Sequence, residues 1–308
     1  MKVAIVGSGG VGGYFGAKLA LGGNDVTFIA RGEHLKMMKS KGLKITGFSG
    51  DFIVYPVKAT DRIEDVGIPD LVIIGVKAWQ VREIARKLKP IVGKDTVILP
   101  LQNGVLASDE LKEEINGNNV IGGLCRIMSK IEEPGVINHF GINPAIVFGE
   151  LDNKITERAL SLKEVFDKSG INSKIADDIQ VELWKKFIAI CVGGLLAVAR
   201  STYGEMRELG ETRSLMRELL NEIYVLALKA GIAVNSDYVE KSLSFIDTVP
   251  YDSTSSLTRD VWEGKPSEIE YQNGTVVRLG KKYGMDTPLN RFVYSCILPL
   301  EIKARGRR

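Results

Sequence analysis

A glycine-rich segment near the N-terminus constrains the fold of this chain more than any other feature. Residues 2–12 read KVAIVGSGGVG, so Gly7, Gly9 and Gly12 follow a short apolar run and open a segment with helical periodicity. Within a β-α-β unit the first glycine permits a tight turn, the second lets a pyrophosphate approach the backbone, and the third lets helix and strand pack closely. We therefore predict that Gly7, Ser8, Gly9 and Gly12 form a dinucleotide-binding loop. The alternative is a glycine turn with a purely structural role.

The end of the second predicted strand indicates which dinucleotide binds. An NAD site usually has an acidic residue there, which accepts hydrogen bonds from the ribose 2′-hydroxyl. Residues 28–31 read FIAR, and Asp25 lies at the opposite end of the strand. The forked cation of Arg31 suits a 2′-phosphate, so we predict NADPH as the cofactor. The alternative for Arg31 is a solvated side chain in a loop.

Short β-rich runs alternate with helical patterns in the first half of the chain, which is typical of β-α-β units and a parallel sheet. A hairpin is predicted between residues 43 and 59, and further strands, antiparallel to one another, within 120–149. The other predicted elements are the strands Val3–Val6, Val26–Ile29, Leu71–Ile74 and Thr96–Leu99 and the helix Val11–Leu21.

Helical periodicity dominates after residue 176. Gly231 and Gly284 stand where C-terminal caps belong, and Thr287 before Pro288 is the predicted N-cap of the last helix. We predict an α/β Rossmann-type N-terminal domain over residues 1–176 and an all-α C-terminal domain over 177–308. The predicted helices cover residues 178–199, 210–230, 236–246, 268–283 and 287–303.

Composition excludes several classes of protein. The net charge is only +3 and the basic residues are spread along the chain, so no nucleic-acid partner is expected. The three cysteines form no CxxC pair and the chain has two histidines, which argues against a metal site or a disulfide framework. The longest apolar run, Phe187–Ala199, is too short to span a membrane. We expect a cytoplasmic protein with no membrane partner and a solvated tail over residues 303–308, and a homodimer is a possible assembly because helical C-terminal domains often carry a dimer contact.

Further candidate residues follow later strands or lie in the helical half. Lys77 and Asn103 come after apolar runs whose carboxyl ends should face the cofactor. From its position alone, Lys77 is as consistent with a surface lysine as with a functional one. Asn103 followed by Gly104 is, by itself, typical of a turn. Lys186 shares one side of a predicted helix with Glu182, Ile190 and Gly194, and it either extends to water or faces a ligand.

Taken together, these motifs resemble ketopantoate reductase (2-dehydropantoate 2-reductase) over nearly the whole chain. The resemblance implies NADPH-dependent reduction of 2-dehydropantoate in pantothenate and coenzyme A biosynthesis, on a Rossmann domain joined to a helical domain. The matching segments are the glycine loop with Arg31, VKAWQ (76–80), QNG (102–104), ELWKK (182–186), Ser255-Ser256 and EIEYQNG (268–274).

The resemblance also implies roles for single residues. Lys186 matches the lysine that gives a proton to the developing alkoxide, Glu268 an active-site glutamate that also faces the cofactor, and Ser256 a serine that contacts the substrate. Asn103 and Lys77 match residues around the nicotinamide and the substrate.

The chain departs from the family at Ile190 and Gly194, where the family usually has asparagines. The departure leaves open a related NADPH-dependent reductase that acts on another 2-oxo acid or an imine. A third interpretation is an NADPH-binding sensor without catalysis.

Overall fold

The computed structural model describes residues 1–48 and 50–306, which divide into two compact units. Among the described residues, one unit comprises 1–48, 50–102 and 106–179, and the other comprises 103–105 and 180–306. The sequence-based division counts residues 103–105 with the first domain, whereas they pack with the helical unit. The strands of the first unit are β1 (Lys2–Val6), β2 (Asp25–Ile29), β3 (Leu43–Gly47), β4 (Phe52–Val54), β5 (Lys58–Thr60), β6 (Leu71–Ile74), β7 (Val97–Pro100), β8 (Gly122–Glu133), β9 (Val136–Gly149) and β10 (Asn172–Ile175).

A parallel five-stranded sheet forms the centre of the first unit, in the order β5-β2-β1-β6-β7. Its central strands are buried on both faces, since Val3 and Ile5 pack into one core while Ala4 and Val6 pack into another. Chain order reverses between β1 and β6, and ligands bind at such a switch point. The Rossmann-type prediction is confirmed. The helices of this unit are α1 (Gly10–Leu21), α2 (Gly32–Lys41), α3 (Val81–Leu88), α4 (Ala107–Lys112) and α5 (Glu157–Lys168).

A second sheet extends this unit, with β9 at its centre. Strand β8 pairs antiparallel with β9, while β3 and β10 pair parallel with it, and β4 lies antiparallel to β3. The predicted hairpin within 43–59 corresponds to β3 and β4. Strand β5, however, belongs to the parallel sheet, where it pairs with β2.

The second unit is helical, as predicted. Two predicted helices are interrupted: residues 178–199 form two helices separated at Cys191, and 268–283 begin with a 3-10 turn over Ile269–Tyr271. Two further helices, α8 (Tyr203–Glu208) and α11 (Ser256–Trp262), were not predicted from the sequence. The helices are α6 (Ile179–Ile190), α7 (Val192–Ala199), α8 (Tyr203–Glu208), α9 (Gly210–Lys229), α10 (Tyr238–Thr248), α11 (Ser256–Trp262), α12 (Asn273–Lys282) and α13 (Pro288–Ala304).

The structure confirms the two predicted C-terminal caps, but the cap predicted at Thr287 makes no side-chain hydrogen bond. Gly231 and Gly284 adopt positive φ angles of 82° and 63° just after α9 and α12, as predicted for C-terminal caps. Thr287 occupies the N-cap position of α13, but its side chain makes no capping hydrogen bond. Glu222 on α9 caps that helix instead, because its carboxylate accepts hydrogen bonds from the amides of Leu289 and Asn290 at 2.8 and 3.0 Å.

The prediction of a solvated C-terminal tail holds for only part of the residues that the structure describes, since Lys303 and Gly306 are exposed whereas Ala304 and Arg305 are half-buried. Lys303 and Ala304 form the last turn of α13, and Arg305 makes an ion pair with the buried Glu301. Arg307 and Arg308, the rest of the predicted tail, lie outside the described residues.

Two observations concern membrane spans and metal ligands. No helix over residues 1–48 and 50–306 combines the length and the apolar character needed to cross a membrane. Within the same ranges, the His, Cys, Asp and Glu side chains form no group of three able to hold a metal ion.

The capping geometry predicts a difference between two substitutions at the start of α13. Glu222→Gln places a donor against backbone donors and should lower the free energy of unfolding by about 1–2 kcal/mol. Thr287→Val removes only the hydroxyl and should change it by less than about 0.5 kcal/mol. Urea denaturation of both variants measures the difference. A larger loss in Thr287→Val would contradict the assignment of Glu222 as the cap.

Candidate functional site

The glycine loop lies at the switch point of the parallel sheet. Gly7 follows β1 with a φ angle of 94°, and a Cβ atom added there would lie 2.7 Å from the backbone nitrogen of Val76. A Cβ on Gly12 would lie 2.2 Å from the carbonyl oxygen of Gly7. A Cβ on Gly9, by contrast, would have no atom within 4 Å. Gly7 and Gly12 therefore permit close backbone packing, while the backbone of Gly9 borders open space at the N-terminus of α1.

Ser8 fastens this loop to β2. Its backbone amide and its hydroxyl both donate to the carbonyl oxygen of Ile29, at 3.2 and 3.0 Å. The side chain is buried, so Ser8 shapes the loop from inside the protein.

Arg31 is exposed at the start of α2, two residues after β2 ends. Asp25 lies at the opposite end of β2, where Lys58 donates to its carboxylate at 2.5 Å and holds the pKa of Asp25 below its usual value. The end of β2 nearest the glycine loop therefore presents a cation, as the sequence indicated.

His34 was missed by the sequence reasoning, and it connects the glycine loop to the β8-β9 hairpin. Its Nδ1 accepts a hydrogen bond from the amide of Gly135 at 3.0 Å, so the neutral ring carries its proton on Nε2. That nitrogen lies 2.9 Å from the carbonyl oxygen of Ser8, to which it donates. Burial lowers the pKa of His34, an effect partly opposed by the bond to Ser8. In the sequence, its position three residues after Arg31 is the feature that could have identified His34.

Gln102 is the second residue that the sequence reasoning missed in this unit. Its side-chain amide donates to the carbonyl oxygens of Ile74 and Val76 at 2.8 and 3.0 Å, which fixes the turn after β6. Lys77 occupies that turn with a half-buried side chain, and its Nζ lies 5.8 Å from the centre of the Trp79 ring.

The helical unit brings together two predicted residues that are distant in sequence. The side-chain amide of Asn103 donates to the carboxylate of Glu268 at 3.0 Å. Glu268 is only 5% exposed. The next residue, Gly104, has a φ angle of 96°, and a Cβ there would lie 2.8 Å from the carbonyl oxygen of Tyr271. The Asn103-Gly104 segment therefore fits closely against the turn that carries Glu268.

Lys186 lies on α6, and Glu182, Lys186 and Ile190 form a half-buried side of that helix. Glu182 is paired with Lys185 at 2.9 Å. Gly194 lies beyond the end of α6, in α7, and is buried. The Cys191 carbonyl accepts from the amide of Gly194 and from the side chain of Asn273, both at 3.2 Å, which ends the regular helical hydrogen bonding there.

Ser256 is exposed as the first residue of α11. The hydroxyl that caps this helix belongs to its neighbour Ser255, which accepts a hydrogen bond from the Thr258 amide at 3.0 Å. Since Ser255 provides the cap, Ser256 is not required for that structural role.

Comparison with known proteins places both halves of the chain in one family. The family description "Ketopantoate reductase PanE/ApbA" matches residues 3–153, and "Ketopantoate reductase PanE/ApbA C terminal" matches residues 178–301. The chain belongs to the ketopantoate reductase family. It is an oxidoreductase of this family, which agrees with the resemblance inferred from the motifs.

Individual relatives span nearly the whole chain. The 2-dehydropantoate 2-reductase of Aquifex aeolicus is 32% identical over 98% of this chain and 97% of its own length. The oxidoreductase YkpB of Bacillus subtilis is 30% identical, covering 96% and 97% of the two chains. The crystal structure of a ketopantoate reductase from Ralstonia eutropha JMP134 superimposes with a TM-score of 0.91 at 30% identity, covering 99% of this chain and 100% of that one.

Gly194, where the resemblance led us to expect an asparagine, leaves little room for a side chain. A Cβ there would lie 2.3 Å from Oδ1 of Asn273 and 2.8 Å from Cγ1 of Val293. Asn273 is fully buried, and its side-chain amide also donates to Asn290 at 2.9 Å. An asparagine at position 194 therefore does not fit unless Asn273 moves.

The tautomer of His34 predicts a pH-dependent contribution to stability. A histidine whose folded-state pKa is lowered stabilises the fold above its unfolded pKa, near 6.5, and loses that contribution as the pH falls through the folded value. His34→Gln cannot titrate, so wild type and variant should differ more in free energy of unfolding at about pH 7.5 than at about pH 5. Urea denaturation at both pH values measures this. An equal difference at both would contradict the assigned neutral ring.

Proposed function

We propose that this chain catalyses the NADPH-dependent reduction of 2-dehydropantoate to pantoate, a product used in pantothenate and coenzyme A synthesis. The observation that carries the proposal is the buried Glu268 carboxylate held by Asn103, in a chain whose other unit has a dinucleotide-type glycine loop. A protein that only senses the cofactor does not need a buried carboxylate beside a turn that requires glycine.

The glycine loop fits a dinucleotide. Open space borders Gly9 at the N-terminus of α1, where free amide groups and the helix dipole favour a pyrophosphate. Arg31 would bind the 2′-phosphate, because it is exposed at the carboxyl end of β2. Lys77 and Asn103 would lie at the nicotinamide end.

The chain's own residues would supply the proton and the binding contacts of the reaction. NADPH, when bound, supplies the hydride for the carbonyl carbon. Lys186 would hold a proton on Nζ and give it to the carbonyl oxygen as negative charge develops there. Glu268 would accept a hydrogen bond from the substrate hydroxyl or from Lys186, with Asn103 fixing its carboxylate. Ser256 would donate to the substrate carboxylate.

A second candidate is the reduction of a less polar 2-oxo acid. Ile190 places an apolar side chain one turn after Lys186, and the room for a side chain at Gly194 is occupied by Asn273. Both features reduce the polar groups available for a substrate hydroxyl, so discrimination in its favour would be weaker.

Substrate turnover tests these candidates directly. NADPH oxidation should be followed with 2-dehydropantoate and with 3,3-dimethyl-2-oxobutanoate, which has the same skeleton without the hydroxyl. We expect a higher kcat/KM for 2-dehydropantoate. A higher value for the analogue would support the second candidate, and NADPH binding without turnover of any 2-oxo acid would overturn both.

Lys186 and its neighbour Lys185 offer a matched test of the proton donor. Lys186→Met should lower kcat by at least about 100-fold, because a general acid contributes that much, while the Kd for NADPH stays within about twofold. Lys185→Met is the control and should keep most of the activity. Full activity in Lys186→Met would exclude the proposed proton donor.

Arg31 should determine the preference for NADPH over NADH. Arg31→Gln removes a charged hydrogen bond to the 2′-phosphate, so the Kd for NADPH should rise about 10- to 100-fold while that for NADH stays nearly constant. Lys36→Gln, which removes another exposed cation from α2, is the control. Fluorescence titration gives both constants, and equal losses for the two cofactors would rule out this role.

A further inference from the structure

Glu301 is a buried carboxylate in a position where an apolar residue would be expected. It follows Val293 and Ile297 at spacings of eight and four residues, on the buried side of α13, and it is only 4% exposed. Burying a carboxylate is unfavourable unless it is paired and hydrogen-bonded, and apolar replacements of buried ion pairs often stabilise proteins. Anchoring α13 therefore does not by itself require a carboxylate at this position.

The two oxygens of Glu301 have different partners. Oε1 accepts from Nε of Arg305 at 2.5 Å, in an ion pair within the last turns of the helix. Oε2 accepts from both the backbone amide and the hydroxyl of Ser267, at 2.8 and 2.7 Å. Arg305 also donates to the carbonyl oxygen of Ser267 at 3.3 Å. Glu301 and Arg305 thus bind the donor and acceptor groups of a single residue.

Ser267 immediately precedes Glu268 and is fully buried. Its hydroxyl accepts a hydrogen bond from the amide of Ile269 at 3.4 Å, and the carbonyl oxygen of Glu268 accepts from the amides of Tyr271 and Gln272 at 2.9 and 3.0 Å. The backbone is therefore held on both sides of Glu268. The Glu268 side chain extends from this backbone, and its carboxylate accepts from Asn103.

We propose that Glu301 and Arg305 are positioning residues for Glu268, acting through Ser267. The pair fixes the backbone from which the Glu268 carboxylate extends toward Asn103, and so links the C-terminal end of α13 to the site of reduction. This inference rests on the proposed function for its effect on turnover, but the geometry it describes lies within the helical unit.

The first test is a double-mutant cycle in kcat/KM for the 2-oxo acid. Glu301→Gln should lower it about tenfold in the wild-type background and less than about twofold in the Glu268→Gln background, because a residue acting through Glu268 has little effect once that carboxylate is gone. Asp247→Asn removes a carboxylate that pairs with Arg213 elsewhere in the unit, and it should leave kcat/KM unchanged. Equal losses in both backgrounds would show a merely structural role and overturn the proposal.

The second test does not depend on activity. The side-chain amide resonance of Asn103, assigned by its loss in Asn103→Asp, reports the hydrogen bond to Glu268. It should shift in Glu301→Gln and stay in place in Asp247→Asn. An unchanged resonance in folded Glu301→Gln would overturn the proposal, whereas failure of the wild type to reduce any 2-oxo acid would overturn only the proposed function.

Ser267→Ala provides the same tests if Glu301→Gln does not fold. It removes the hydroxyl and keeps both the ion pair and the backbone bond to Glu301. A smaller shift of the Asn103 resonance in the same direction is expected, with a loss of about threefold in kcat/KM. No change in either measurement would overturn the proposal.

Discussion

The close approach of two backbone segments at the sheet switch point is the constraint on which the first unit depends. The loop after β1 lies against the turn after β6 with no room for a Cβ on Gly7, and α1 lies against the loop with no room for one on Gly12. Both segments follow parallel strands, whose side chains alternate between two cores, so they lie at the same edge of the sheet. Ser8 and His34 then hold the loop from two further directions, through β2 and through the β8-β9 hairpin.

In the helical unit, buried hydrogen bonds hold the helices in place. Glu222, Asn290 and Asn273 form a chain of side-chain hydrogen bonds that reaches the Cys191 carbonyl, just after the helix that carries Lys186. Polar groups buried in this way are stable only when their partners are correctly placed, so they specify one arrangement of the helices. The same holds for the group of Glu301, Arg305 and Ser267. The first network ends just after the helix that carries Lys186, and the second holds the residue that precedes Glu268.

Membership of the ketopantoate reductase family and the substrate of this chain are separate questions. The family is established over both halves of the chain, and the glycine loop, Lys186 and the Asn103-Glu268 pair are compatible with its chemistry. At Gly194, the side chain of Asn273 occupies the space that a side chain would need. In the proposed reaction, selectivity for the substrate hydroxyl would therefore depend on the remaining polar groups.

The sequence by itself determined the features that depend on neighbouring residues. Apolar periodicity predicted the strands of the parallel sheet except β5, and spacing and context identified the glycine loop, Arg31 and the glycine caps. The motifs also predicted the family. Only the tertiary structure showed that His34 bonds to Gly135, that Glu222 caps α13 in place of Thr287, and that Glu301 holds Ser267. The partners in these bonds are 34 to 101 residues apart. Periodicity and capping signals describe interactions within a few residues, whereas such bonds exist only after the chain has packed.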